Sequence, residues 1–123
     1  MFSRGRSIFL LIALVGAIAA PGSSIAASLD SKISRTEFEN LVVFNARKVD
    51  AFQAVWKADH DAQIFGGAVR DFALYLANKF VSASSKEEVA AVKDWLAATR
   101  SIRARDFLRS DSDLDIVTTA KNL

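Results

Sequence analysis

Apolar positions recur mainly at helical spacing from Phe38 through Leu41, Val42, Val49, Phe52, Val55 and Trp56. They predict one amphipathic helix running to about Lys57 with a single buried stripe. Ser34-x-x-Glu37 and Thr36-x-x-Glu39 both fit a capping box at its start, in which a hydroxyl and a carboxylate satisfy free amides. Residues 28–33 ahead of it read as a mobile polar lead-in, and Ala58-Asp59-His60-Asp61 behind it as a polar connection. Ala62 to Phe65 is a brief apolar run ending in Gly66-Gly67, the pattern of a buried strand entering a tight turn. Val69, Phe72, Leu76 and Phe80 then mark one face of a helix from Ala68 to about Phe80.

Val81 to Ser84 reads as a loop, and Ser85-x-x-Glu88 is a further capping box. Val89, Val92, Trp95 and Leu96 carry the next helix to about Thr99. From Arg100 to Arg109, four arginines (Arg100, Arg103, Arg105, Arg109) interleave with Ile102, Phe107 and Leu108, which fits a helical turn or an ordered loop. Leu114 to Thr118 is β-prone and follows an acidic, serine-containing turn, so it is predicted to be a strand. The order helix, strand, helix, helix, strand predicts an α+β domain.

Ahead of this pattern, Arg4 and Arg6 precede the apolar run Ile8 to Ala20, and small residues around Ser24 to Ala27 suit cleavage. This is the arrangement of a secretory signal peptide over residues 1–27, leaving a domain over 28–123. A retained membrane anchor is the other reading. The run is short against the roughly 20 apolar residues of a span, and Pro21-Gly22 interrupts any helix extended through it. The expected product is exported, to the periplasm or the medium, with no stable membrane insertion after cleavage. It is cytoplasmic if the N-terminal segment does not function.

Losing Arg4 and Arg6 changes the charge, because 16 basic and 14 acidic residues become 14 of each. The net charge of the mature part therefore gives no argument for nucleic acid. Cysteine is absent, which excludes disulfides and cysteine-type zinc sites.

Chemistry concentrates in Gly66-Gly67-Ala68-Val69-Arg70-Asp71 and in Asp113-Leu114-Asp115-Ile116-Val117-Thr118. Glycine admits close backbone approach to a phosphate and a positive φ, and the amides of a helix starting near Ala68 would face the same anion. An ordinary strand-to-helix turn uses Gly-Gly for geometry alone. Asp113 and Asp115 lie at i and i+2, so on a strand both carboxylates share a face. Mg²⁺ with substrate phosphates is the usual answer to their repulsion. A solvated acidic strand start, with Asp111 as a third acid, is the alternative.

Taken in this order, the two motifs resemble the head domain of the CCA-adding tRNA nucleotidyltransferase and bacterial poly(A) polymerase family. IFGGAVRD is similar to that family's GGxVRD element and SDLDIVT to its DxDxxT element. The resemblance implies a partial polymerase-β-like nucleotidyltransferase head that takes ATP or CTP with Mg²⁺ and adds to a tRNA-like RNA 3′-hydroxyl. It implies phosphate contacts at Gly66 and Gly67, site-shaping roles for Arg70 and Asp71, and catalytic metal ligation by Asp113 and Asp115.

The chain departs from the family in its spacing, with 41 residues between Asp71 and Asp113, so residues 81–110 are expected to form an inserted helical segment. It stops at Leu123, before the family's third acidic residue and RRDFT-like motif, so the head is expected to be truncated. An exported address also departs from a cytoplasmic family. The competing expectation is an exported, non-catalytic α+β binding module that keeps the turn for structural reasons.

The remaining candidates are weaker. His60 is the single histidine and reads as a loop residue. The arginines from Arg100 to Arg109 suit either a phosphate or RNA backbone or a basic solvated loop. Trp56 and Trp95 fall in apolar stripes and read as core. Arg70 and Asp71 also fit a structural ion pair.

Overall fold

The computed structural model describes residues 23–119. The expected signal segment lies largely outside them, and its cleavage region falls within the first helix, α1 (Ser23–Asp30). Four further helices follow, α2 (Arg35–Ala46), α3 (Asp50–Ala58), α4 (Gly67–Ser82) and α5 (Lys86–Ala97). Strand β1 (Gln63–Phe65) lies between α3 and α4, a 3₁₀ turn spans Ala104–Asp106, and β2 is Asp115–Val117. The domain is thus α+β and mostly helical, with one two-stranded antiparallel sheet. No helix among the described residues is long and apolar enough to cross a membrane.

Two of the expected caps form through their serine hydroxyls, without the reciprocal carboxylate bond of a full capping box. Ser34 Oγ accepts from Glu37 N at 3.2 Å, and Ser85 Oγ accepts from Glu88 N at 3.2 Å. The Thr36-x-x-Glu39 alternative is not used, because Glu39 pairs with Arg35 one helical turn back. In the second box the carboxylate of Glu88 reaches past the cap to Ser84, taking both its amide and its hydroxyl. Those hydrogen bonds hold the Glu88 carboxyl below its ordinary range.

The central element is α4, which buries Val69, Phe72, Leu76 and Phe80 as the periodicity requires. Phe38 and Val42 of α2 pack against it, with Phe38 meeting Phe80 edge-on at 6.3 Å. Leu96 of α5 closes the same cluster, so α5 packs onto α4. A smaller cluster of Val49, Phe52 and Ala62 lies under the sheet, and Ile64 and Phe107 touch both.

Two expectations need correction. Residues 28–33 are not a polar lead-in, because Ser28 to Asp30 belong to α1 and Leu29 and Ile33 are buried, at i and i+4, in the main cluster. Lys32 fixes this segment further by donating to Val81 O and Ala83 O, where carbonyls at the end of α4 want a cation.

The single helix to Lys57 is instead two helices, α2 and α3. The apolar stripe is interrupted at Asn45, which is buried and spends its Nδ2 on Leu41 O. The backbone then opens outward, with Ile102 N donating to Lys48 O at 2.8 Å and Asp50 N to Ile102 O at 2.9 Å. Val49 and Ile102 form a parallel bridge that buries both side chains. A continuous helix would need the Lys48 carbonyl and the Asp50 amide for itself.

Candidate functional site

The strand-to-helix bend at Gly66 is built from backbone. Gly66 has φ 73° and ψ −144°, a region that only glycine enters without strain, and it caps α4 with no side-chain hydrogen bond. Arg70 N closes the first helical turn on Gly66 O at 3.2 Å. The early amides of α4 are therefore left without a side-chain cap, as an anion site requires.

Strand pairing brings the second motif to this bend. The register sets Gln63 opposite Val117, Ile64 opposite Ile116 and Phe65 opposite Asp115. Ile64 and Ile116 turn into the packed layer, while Phe65, Asp115 and Val117 lie exposed. A Cβ placed on Gly66 would stand 3.1 Å from Asp115 Oδ2, so the acid occupies the space that a side chain would fill. The glycines are not equivalent. Gly67 has no positive φ, and a Cβ there would meet only Arg70 Nη2 at 3.7 Å, an ordinary contact.

Asp113 is exposed and precedes β2, which starts at Asp115, and exposure alternates from Asp113 to Val117. The ladder stops at Asp115 because the paired strand bends into α4 at Gly66 after Phe65. Among the described residues no group of three or more histidine, aspartate or glutamate side chains is placed to hold a metal ion.

Asp71 is buried and already engaged. Its Oδ2 accepts from Ser112 Oγ at 3.0 Å and from Arg109 N at 3.3 Å, while Arg70 Nη2 stands 3.6 Å from Oδ1. It fixes the turn that delivers Asp113 and Asp115, and acts on the site through that turn. Arg70, by contrast, keeps a side chain 46% exposed beside the bend.

Asp59 lies outside both sequence motifs. This buried carboxylate accepts from Thr118 Oγ1 at 2.6 Å, Thr119 N at 2.7 Å, Thr119 Oγ1 at 3.0 Å and Asp61 N at 3.0 Å. The Thr118 hydroxyl and the two amides hold its carboxyl far below the usual carboxylate range. Its sequence signal was the Asp59-His60-Asp61 spacing, which suits an aspartate bonding to the amide two residues on. Asp71 thus holds the chain before β2 and Asp59 holds it after, so Asp115 projects from a strand anchored at both ends. Nearby, His60 stacks on Trp56 at 4.3 Å with Arg47 over the same indole at 5.5 Å, so neither ring is simple core or simple loop.

Of the six site residues named from sequence, Gly66, Gly67, Arg70 and Asp115 gather at the bend, Asp71 lies beneath it, and Asp113 sits on the exposed approach to β2. No protein-family model, curated protein or solved structure matches the chain.

Proposed function

We propose that this domain is of the nucleotidyltransferase type and binds ATP or CTP at the Gly66 bend for transfer to an RNA 3′-hydroxyl. The observation that carries this reading is the apposition of Asp115 with Gly66. The Asp115 carboxylate lies close against Gly66, where a Cβ would stand 3.1 Å from its Oδ2, beside a helix start that no side chain caps. In the resemblance this is where acid and triphosphate meet.

The residues suit Mg²⁺, which takes one or two carboxylates and completes its shell with phosphate oxygens and water. Asp115 would hold it with help from Asp113, and the ion would supply charge neutralisation of the triphosphate and polarisation of the attacking hydroxyl. The α4 amides receive phosphate oxygens, and the half-exposed Arg70 guanidinium orients the chain of phosphates. The two anchors at Asp71 and Asp59 keep Asp115 in position, so that catalysis comes mainly from placement.

Calorimetric titration with ATP and CTP, with and without Mg²⁺, tests this reading. Asp115→Asn should weaken Mg²⁺-dependent binding by roughly tenfold or more, a loss of about 1.4 kcal/mol. Unchanged Mg²⁺-dependent affinity in that variant sinks the proposal.

The second reading, an exported module without catalysis, is favoured by two observations: Asp71 is spent on the 109–112 turn, and Asp113 lies outside β2. In that case Asp113→Asn with Asp115→Asn leaves stability unchanged or raises it, and no labelled nucleotide passes to an oligonucleotide acceptor.

A further inference from the structure

Among the described residues the exposed large apolar side chains are Phe44, Phe65 and Val117, and the last two belong to the same small sheet. A single apolar side chain at a surface is ordinary. This pair is not scattered. In the register Phe65 stands opposite Asp115, and Val117 is two residues beyond Asp115 on the same strand. Side chains opposite one another share a face, as do those two apart along a strand. Phe65, Asp115 and Val117 therefore project together, away from the layer that takes Ile64 and Ile116.

This face adjoins the bend. Phe65 directly precedes Gly66, and a Cβ on Gly66 would stand 3.1 Å from Asp115 Oδ2. One carboxylate thus borders both the start of α4 and the apolar pair. Phe65 and Val117 are diagonal neighbours across the ladder, a separation of roughly 7–8 Å that an aromatic side chain can bridge. Ring and cation contacts among the described residues engage other aromatic side chains, so none covers Phe65. An inorganic phosphate at the bend would leave this surface wet. A nucleotide is anionic at one end and flat and aromatic at the other, so it uses both.

We propose that Phe65 and Val117 form the ledge on which the base of the bound nucleotide rests, with Phe65 stacked on its ring and Val117 packed at its edge. This inference rests on the triphosphate reading of the Gly66 bend, and it gives that site its preference for nucleotides over other polyphosphates. Neither side chain carries a hydrogen-bonding group. The ledge therefore takes purines and pyrimidines alike, since every base has a π-face.

Calorimetric titration with the Mg²⁺ complexes of ATP, CTP and inorganic tripolyphosphate provides the test. The unsubstituted protein should bind both nucleotides more tightly than tripolyphosphate. Phe65→Ala should weaken ATP and CTP by roughly tenfold, the scale of one lost base–aromatic stack, with tripolyphosphate binding unchanged. Phe65→Tyr keeps the ring and should keep nucleotide affinity, while Val117→Ser should lose less than Phe65→Ala and in the same direction. Both positions are exposed, and thermal unfolding of the variants checks that the fold is kept.

Equal affinity for nucleotides and tripolyphosphate in the unsubstituted protein overturns the ledge and leaves the triphosphate reading standing. So does a Phe65→Ala protein that retains the full preference for nucleotides. Equal losses of all three ligands would make Phe65 a support of the bend, which also overturns the proposal. Failure of the triphosphate reading looks different. Tripolyphosphate then does not bind with Mg²⁺, or binds Asp115→Asn equally well, whichever residue stands at position 65, and the ledge falls with it.

Discussion

Ser112 Oγ donates to Asp71 Oδ2 at 3.0 Å, and that hydrogen bond ties the two sequence motifs to each other across 41 residues. Asp71 sits in the second turn of α4, just beyond the glycine bend, while Ser112 directly precedes the Asp113-Leu114-Asp115 triplet. The separation between the motifs therefore does not loosen the site. A loop of this length is tolerated because closure cost rises only slowly with length, and the buried carboxylate fixes its far end.

Removing that carboxylate should release the 109–112 turn. Asp71→Ala is expected to cost about 1–3 kcal/mol, because it strands the Ser112 hydroxyl and the Arg109 amide in a part-buried setting. Ser112→Ala should cost about 1 kcal/mol and the double variant less than the sum, since both act through one bond. Urea unfolding of the four proteins measures the coupling. Additive losses would show that Asp71 does not act through Ser112.

The two glycines should respond differently to alanine. At Gly66 a Cβ would meet Asp115 Oδ2 at 3.1 Å on a backbone with φ 73°. Gly66→Ala is expected to cost about 1–3 kcal/mol from backbone strain, and it should also displace Asp115. Gly67→Ala lies at the first residue of α4 with ordinary space around it, and should be neutral or stabilise by about 0.5–1 kcal/mol through the unfolded chain. Thermal melts distinguish the two, and equal losses would contradict the assignment of the bend to Gly66 alone.

Acid should loosen the C-terminal anchor of β2. The Asp59 carboxyl is depressed, chiefly by the Thr118 hydroxyl. Its contribution to stability is therefore complete above the unfolded-state value of about 3.9 and declines as pH falls below it toward the folded value. Urea midpoints measured from pH 7 to pH 2 should fall over the acid limb. Asp59→Asn should lower the midpoint at pH 7 and flatten that limb. A limb of unchanged steepness would assign the acid sensitivity to other carboxylates, Glu88 being the other one held low.

Local signals in the chain were sufficient for most elements. The Ser34 and Ser85 caps, the strand before Gly66, and the Val69–Phe80 face of α4 each rest on residues within one or two turns of one another. What escaped depends on partners far along the chain. The break between α2 and α3 is imposed by Ile102, about fifty residues later, and α1 is recruited to the core by Leu29 and Ile33 landing on α4. The site divides the same way. Gly66 announces itself by residue type, whereas the unequal standing of Asp113 and Asp115 follows from where β1 ends opposite them. Asp59 looked like loop because its partners, Thr118 and Thr119, lie sixty residues away.

Lys48 provides a test of the long-range contact that splits the first predicted helix. Its ammonium donates to Ala98 O at 2.8 Å and to Leu96 O, the carbonyls at the end of α5, and stands 5.4 Å from the centroid of the Phe44 ring. Burial pushes its pKa down, but the helix terminus offers exposed carbonyls and a partial negative charge that favour the cation. Lys48→Met keeps the stem and deletes the donors, and should destabilise by about 1–2 kcal/mol. Lys48→Arg retains the charge but changes its shape from a compact ammonium to a planar fork, so recovery should be partial. Hydrogen exchange locates the loss, because Lys48 joins the α2–α3 junction to the end of α5. Faster exchange at Ala98 and Ile102, with the amides of α1 unaffected, is the expected pattern. Uniform acceleration across the domain would mean that Lys48 supports global stability and does not clamp this junction in particular.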